Sequence, residues 1–480
     1  MELCGSYEVD LKIFDRLLGK DPTIKHRDLE GAGGSLCCRI YFSDGMVSSQ
    51  LIRDGIIVPV VEWDGAVPTE GILDWMALTL LGLPEVRRTA DTDEMRSALS
   101  YGDTLLFARG QSGCLILGSK NFPCRSVSEP ETEKVEKGPK EGFVEPLMLN
   151  LSMIKRRLRN GRLRIDTQTM GDLSGTSVCL LSLDGVTDPG LREKIKGQLE
   201  GVKMDGILSS NYLAEIIRPQ PYAVFRRLGT TARPDVAVSK LLEGRVVILV
   251  DGSPQALTAP FIFLEYFQSP EDYYVSWHYA VFSRTLRMAA FLLSISLAPI
   301  YVALLGFHPG TLPTRMLMDL AVMQQSAPFS FFTEALILLL AFDLLREAGL
   351  RAPPSIGQTL SVVGALVLGQ SAVEASLVSP AMVIVVALSG VTGLITTELK
   401  DPIIFLRLGL LVLAGTAGLW GYIMGMALLI GRLSTIESWG VDYLSSMPGI
   451  SQGSHEDGIF RRPFARMQKG GRFRAEGGKE

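Results

Sequence analysis

The chain has 480 residues, 47% of them apolar, with a formal charge of −4 and a mean hydropathy of +0.25. That mildly acidic balance gives no reason to expect nucleic-acid binding. Six cysteines without a C-x-x-C spacing, beside only four histidines, argue against a zinc site and for buried free thiols.

Hydrophobicity is unevenly spread. Residues 1–283 alternate polar and apolar stretches like a soluble α/β protein, 289–430 carry long apolar runs, and 431–480 turn polar and basic. The start, "MELCGSYEVDLKIFDRLLGKD", lacks the basic and apolar regions of a signal peptide, so the N-terminal part is expected in the cytoplasm.

The soluble half looks duplicated. "LCCRIYFSDGMVSSQLI" (36–52) parallels "VCLLSLDGVTDPGLREKI" (178–195): an apolar strand, an Asp-Gly turn, then a helical pattern. "YGDTLLFARG" (101–110) parallels "EGRVVILVDG" (243–252), and nearly equal distances separate the members of each pair. Two related α/β subdomains are therefore expected, at 1–129 and 144–283. Between them "PETEKVEKGPKEGF" (130–143) reads as a solvated linker. The segment 149–166 reads as a helix whose basic cluster either faces water or touches anionic lipid heads. "GAGGS" (31–35) is expected to be a flexible turn, since no later P-loop Lys or ribose-binding acid supports a nucleotide site. No nucleophile, base and acid are grouped in a catalytic motif. The expectation is a regulatory or assembly protein, neither an enzyme nor a cofactor binder.

The membrane half begins with Tyr273, Tyr274, Trp277 and Tyr279, suited to a headgroup interface, and with Arg284 and Arg287 on the cytoplasmic flank. Ala289–Phe307 is long enough to span, with Pro299 a possible kink. The second run, Met316–Leu345, holds Asp319, Gln324, Gln325, Glu334 and Asp343 with "SAPFS" (326–330) near its middle. It is expected to be broken or re-entrant. A third run (356–373) and a fourth (378–395) bracket Glu374, the one charged residue between Ala352 and Thr397, and Ser379-Pro380 reads as the cap and first residue of a helix. The fifth (403–431) contains Gly421-x-x-x-Gly425, a spacing that lets helices approach closely in lipid. A helical membrane domain at 284–431, of four to five spans or re-entrant segments, would be followed by a basic tail at 432–480. Five full spans would place that tail opposite the N-terminus. "RRPFARMQKGGRFR" (461–474) instead favours the cytoplasm, so the polar second run is the one expected not to cross.

Three long segments carry a resemblance: "TARPDVAVSKLLEGRVVILVDGSPQALTAPFIFLEYFQSPEDYY" (231–274), "LREAGLRAPPSIGQTLSVVGALVLGQSAVEASLVSPAMVIVVAL" (345–388) and "SWGVDYLSSMP" (438–448). They closely resemble the A subunits of the GerA family of spore germinant receptors. Weaker similarity runs forward through "GPKEGFVEPLMLNLSMIKRRLR", from Gly138, and the first subdomain. The resemblance implies a multi-pass protein of the inner spore membrane, a homo-oligomer in contact with membrane lipids. It would assemble with a permease-like B subunit and a lipoprotein C subunit and release monovalent cations through a nutrient-gated channel. Two departures stand out. Ala232 replaces an acid usual within the Thr-x-Arg-Pro-Asp motif, and "TTELKD" (396–401) replaces a proline- and tyrosine-bearing loop. The alternative is a close relative, the A-subunit-like protein of the SpoVA operon; the GQSAVEA and SWGVDYL segments fit the receptor branch better.

In a helix, Val362, Val363, Leu366, Gln370 and Glu374 fall near one stripe. One reading makes the three apolar residues a constriction, with Gln370 and Glu374 a polar ring that draws cations. The other makes Glu374 the cap of a short turn between two ordinary spans. Two further classes stand beside the channel: a secondary transporter, which would also keep polar residues at midplane, and a scaffold for the B and C subunits without a pore of its own.

Overall fold

The computed structural model describes residues 7–18, 23–44, 46–68, 71–121, 126–159, 161–217, 223–325, 327–353 and 369–444, with 457, 458, 460, 461 and 463. The chain divides into two compact units, Met1–Ser126 and Val127–Glu480.

The first unit is built on five antiparallel strands: β1 (Ile24–Glu30), β2 (Cys37–Ser43), β3 (Val86–Thr89), β4 (Thr104–Ala108) and β5 (Cys114–Leu117), ordered β1-β2-β4-β5-β3. The GAGGS segment is the loop joining β1 to β2, where Gly34 takes φ 66° and Gly34 N–H donates to Gly31 O. Strand alternation sends Ile40, Leu106 and Leu115 to one core and Tyr41, Leu105 and Ile116 to the other.

The second unit repeats the plan. Its strands β6 (Leu163–Met170), β7 (Thr176–Leu183), β8 (Gly229–Thr231), β9 (Val246–Val250) and β10 (Ala256–Ala259) are ordered β6-β7-β9-β10-β8, position for position the same as in the first sheet. Every residue of β9 is buried because both faces are covered. Val247 and Leu249 pack with Ile154, Ala237 and Leu241, while Val246, Ile248 and Val250 pack with Leu191, Ile195 and Leu199. The basic segment differs from expectation: its helix (Leu147–Arg157) stops before Gly161, and the alternating Leu163-Arg-Ile-Asp opens β6. Arg156 and Arg157 both bind Glu141, on the solvent side of that helix.

Cys37, Cys38, Cys114 and Cys179 are free thiols. Burial pushes the Cys38 thiol up to about 12, which makes it inert at neutral pH.

Among the described residues, two helical stretches are long and apolar enough to cross a membrane, by length and composition: Trp277–Phe307 and Thr397–Ser434. The second apolar run is divided, as its polar residues suggest, into helices Thr314–Gln325 and Phe331–Arg351. Ser379 caps the helix Pro380–Ile395, its hydroxyl accepting from Met382 N–H at 3.3 Å.

The fifth run differs from a single straight span. Lys400–Ser434 bends at Gly418 (φ 61°, ψ −142°), and the chain doubles back. A Cβ on Gly418 would meet Phe307 at 2.7 Å, whereas one on Gly425 would meet Leu410 at 2.7 Å. Leu410 and Gly425 are too far apart along a straight helix to touch. Leu433 also returns to the cluster holding Ile403, Phe291 and Phe263.

After the bend the chain docks on the second sheet. Ser438 and Val441 pair across a two-residue turn in which Trp439 (φ 50°) and Gly440 (φ 85°) are both left-handed. Trp439 tolerates that conformation because its ring is buried beside Leu199 and Leu213, and its Nε1–H donates to Gln198 Oε1 at 2.8 Å. Tyr443 O–H donates to Arg226 O at 2.6 Å, and Ser438 O–H donates to Arg227 O at 3.0 Å.

Candidate functional site

Where the second sheet meets the apolar helices, the chain concentrates buried charge. In the Thr231-Ala232-Arg233-Pro234-Asp235 motif, Pro234 opens a helix (Pro234–Leu242) at the position where its missing N–H costs nothing. Arg233 is fully buried. Its guanidinium donates to Asp235 (3.1 and 2.8 Å), to Pro139 O (2.8 Å) and to Glu133 O (3.3 Å). Thr231 O–H donates to Glu133 Oε2 at 2.8 Å, and Tyr274 O–H to Asp235 Oδ2 at 2.6 Å. The segment 130–143 is therefore pinned to the motif, although most of its side chains meet solvent as a linker's would. Burial holds the Glu133 carboxyl above the ordinary range, against the pull of Thr231 and the Ala232 N–H.

A second centre lies beside it. Glu265 receives Arg245 Nη1 at 2.5 Å, Lys240 Nζ at 2.8 Å and Ile262 N–H at 2.8 Å. Burial alone would raise its carboxyl, but Arg245 and Lys240 outweigh burial and hold it below the usual range.

A third ties down the start of the first apolar helix. Asp272 accepts from Arg284 Nε (3.0 Å) and Arg287 Nη2 (2.6 Å). Arg284 also donates to Asp457 Oδ1 and Gly458 O, both at 2.7 Å, and Tyr273 O–H donates to Asp457 at 2.5 Å. Arg284 and Arg287, which flank the apolar run, are held inside this lattice. Of the four interfacial aromatics, Tyr274, Trp277 and Tyr279 stay exposed.

Between these centres is a cavity of about 290 Å³. Its polar wall carries Glu133, Asp235, Lys240 and Glu398, and Phe261 and Tyr274 supply apolar surface. It brings together four stretches distant in sequence: the segment 130–143, the motif helix, the turns of 263–274 and the turn Thr397–Leu399. No group of three or more His, Cys, Asp or Glu among the described residues fits a metal ion. Sequence reasoning missed this site because no single segment carries it. The one signal was that both departures from the family pattern, Ala232 and 396–401, border it.

The stripe residues fall elsewhere. Val362, Val363 and Leu366 lie outside the described residues. Gln370 and Glu374 occupy one helical turn, Gln370 Nε2 donating to Glu374 Oε1 at 2.8 Å, with both side chains exposed. Gly421 and Gly425 both lie after the bend and face its first limb; a Cβ on Gly421 would stand 2.0 Å from Leu413 O. Two further acids sit deep among the helices. Glu334 is fully buried and accepts from Ser379 N–H, and Asp343 Oδ2 receives Arg407 Nη2 at 2.7 Å.

A family model described as Bacillus/Clostridium GerA spore germination protein matches residues 12–473. Spore germination protein KA of Bacillus subtilis is 36% identical over 88% of this chain and 78% of its own length. Spore germination protein A1 of the same organism is 34% identical over 95% and 94%. Among solved structures, the N-terminal domain of the A subunit of the Bacillus megaterium spore germinant receptor GerK3 aligns with 55% of this chain and 98% of its own, at 25% identity and a TM-score of 0.23. A match across nearly the whole length leaves one conclusion: the chain belongs to the GerA family of spore germination proteins.

Proposed function

We propose that the protein is the A subunit of a nutrient germinant receptor, a non-enzymatic component of the inner spore membrane. It assembles as a homo-oligomer with a permease-like B subunit and a lipoprotein C subunit. Together the copies form a nutrient-gated pathway for monovalent cations whose opening starts germination.

Family membership supports the germination role, and the path of the chain supports the pore. Trp277–Phe307 leads away from the second sheet, from Phe291 near Phe263 to Phe307 near Gly418. Phe331–Arg351 returns, since its start meets Tyr301 and its end carries Glu347, 3.8 Å from Lys400. Pro380–Ile395 begins at Glu334 and ends near Ile403, so it runs the same way as Phe331–Arg351. The two limbs of Lys400–Ser434, each about 25 Å long at 1.5 Å per residue, go out and come back. The reading this supports is a chain that turns back at the Gly418 bend, with the docked segment 435–444 on the side of the second sheet. Limbs of this length lie near the lower limit for a span.

In this reading Val362, Val363 and Leu366 form the constriction, and the Gln370–Glu374 turn lies at one mouth as a cation-attracting group. The purified protein in liposomes, with its B and C partners, tests it. Gated cation flux is expected, and Val363→Ala is expected to leak without nutrient. Saturable exchange would indicate a transporter and no flux a scaffold; either outcome overturns the channel.

A further inference from the structure

The 290 Å³ cavity holds an unbalanced charge. Of the carboxylates that line it, Asp235 is neutralised by Arg233, and Glu243 and Glu265 by Lys240 and Arg245. Two are left. Glu133 is hydrogen-bonded by neutral donors, the Thr231 hydroxyl and the Ala232 N–H. Glu398 makes no hydrogen bond or salt bridge among the described residues, although Arg226 and Lys240 lie near enough to attract it. Each of these two carboxylates repels the other. Both line the cavity, Glu133 from the segment 130–143 and Glu398, an exposed residue, from the turn that starts the bent helix.

Like charges facing one space call for a cation. The space is far larger than an ion needs, since a water occupies about 30 Å³, and no metal-type ligand group surrounds it. Its remaining walls include Phe261, Val236 and Tyr274. Rings and aliphatic surface beside paired carboxylates suit a charged head on a carbon body.

We propose that this cavity binds a small organic ammonium ion, its head between Glu133 and Glu398 and its body against Phe261, Val236 and Tyr274. Such an ion bridges the second sheet and the bent helix, and it links occupancy of the soluble part to the position of the apolar helices.

Isothermal titration of the full chain in detergent with butylammonium chloride tests this, with 1-pentanol as the neutral isostere and KCl and CaCl2 as simple cations. Saturable binding of butylammonium alone is expected. Glu133→Gln and Glu398→Gln should each weaken it at least tenfold, whereas Glu193→Gln, on an exposed helix face, should not. Ser239→Phe, which fills the cavity while leaving both carboxylates, should abolish binding with the thermal midpoint retained. Equal binding of pentanol, preferential binding of calcium, no binding at all, or affinities unchanged in the variants would each overturn the proposal. The readout is independent of ion flux, so it stands or falls apart from the channel.

Discussion

Replacing Gly421 by alanine tests the bend at Gly418. In an unbroken helix, Leu413 and Gly421 lie about 12 Å apart along the axis and never touch. In the bent chain a Cβ on Gly421 stands 2.0 Å from the Leu413 carbonyl O and 3.0 Å from Ala417 Cβ. A carbon–oxygen contact settles at about 3.3 Å, so the limbs must part by more than about 1 Å. The obstacle is backbone and has no rotamer to escape into. Overpacking of this kind costs roughly 1–3 kcal/mol, and a glycine-to-alanine gain in helix propensity returns at most about 1 kcal/mol. A net loss of roughly 1–2 kcal/mol is expected. Gly425→Ala meets only the ends of Leu410 and Leu413, at 2.7 and 2.9 Å, and those side chains can shift. Its cost should stay below about 1 kcal/mol. Gly431→Ala meets nothing within 4 Å and should be neutral or slightly stabilising. Denaturation of the full chain in mixed micelles, followed by circular dichroism, ranks the three. If Gly421→Ala matches Gly431→Ala, the limbs do not touch and the bend is wrong.

Glu265→Gln removes the carboxylate that buried Arg245 shares with Lys240, leaving Arg245 its Glu243 contact, and should cost up to about 3–5 kcal/mol, read as a fall in the thermal midpoint. The wild-type Glu265 carboxyl titrates below its unfolded value, so its stabilisation is present above the ordinary carboxylate range and lost as pH falls through the depressed folded value. Glu133 has the opposite sign: its folded carboxyl is raised, so its contribution is present below the unfolded value and lost as pH rises through the folded one. Glu133→Gln should therefore flatten the alkaline side of a midpoint-against-pH curve, and an unchanged curve would contradict the burial of that carboxyl. Asp272→Asn removes the charge that pairs with Arg284 and Arg287, and limited proteolysis near Asp457 should accelerate as the tail loosens.

Much of the soluble fold was legible because its signals are local. The pairing of residues 36–52 with 178–195 and of 101–110 with 243–252 reflects β2 with β7 and β4 with β9, which hold the same positions in two sheets of one strand order. Period-two alternation and Gly turns survive in a linear string. The bend at Gly418 was not legible. Apolar residues continue on both sides of it, and a glycine in lipid reads equally as a packing residue or a corner. Gly421-x-x-x-Gly425 suggested close approach, but nothing in the spacing said that the partner is the limb just before it. The long-range contacts of 130–143 were not legible for a related reason. Its charges looked solvated, but Glu133 finds the Thr231 hydroxyl 98 residues away.

The motif segments gain a physical meaning from those long-range contacts. Arg233 and Asp235 form a buried pair that welds the segment 130–143 to the helix Pro234–Leu242. Ser438, Trp439 and Tyr443 weld the chain after the bent helix to the same sheet. The second sheet thus grips the helical region at both of its ends, through Asp272 at the start of the first apolar helix and through Trp439 after the last. Motion of that sheet cannot leave the helices indifferent, because each attachment is a buried polar network with a high cost of rupture. The cavity opens between those attachments, and Glu398 is the group on its wall that belongs to the bent helix's own starting turn. A charge change there, or an ion arriving there, acts on the helices where they are already held.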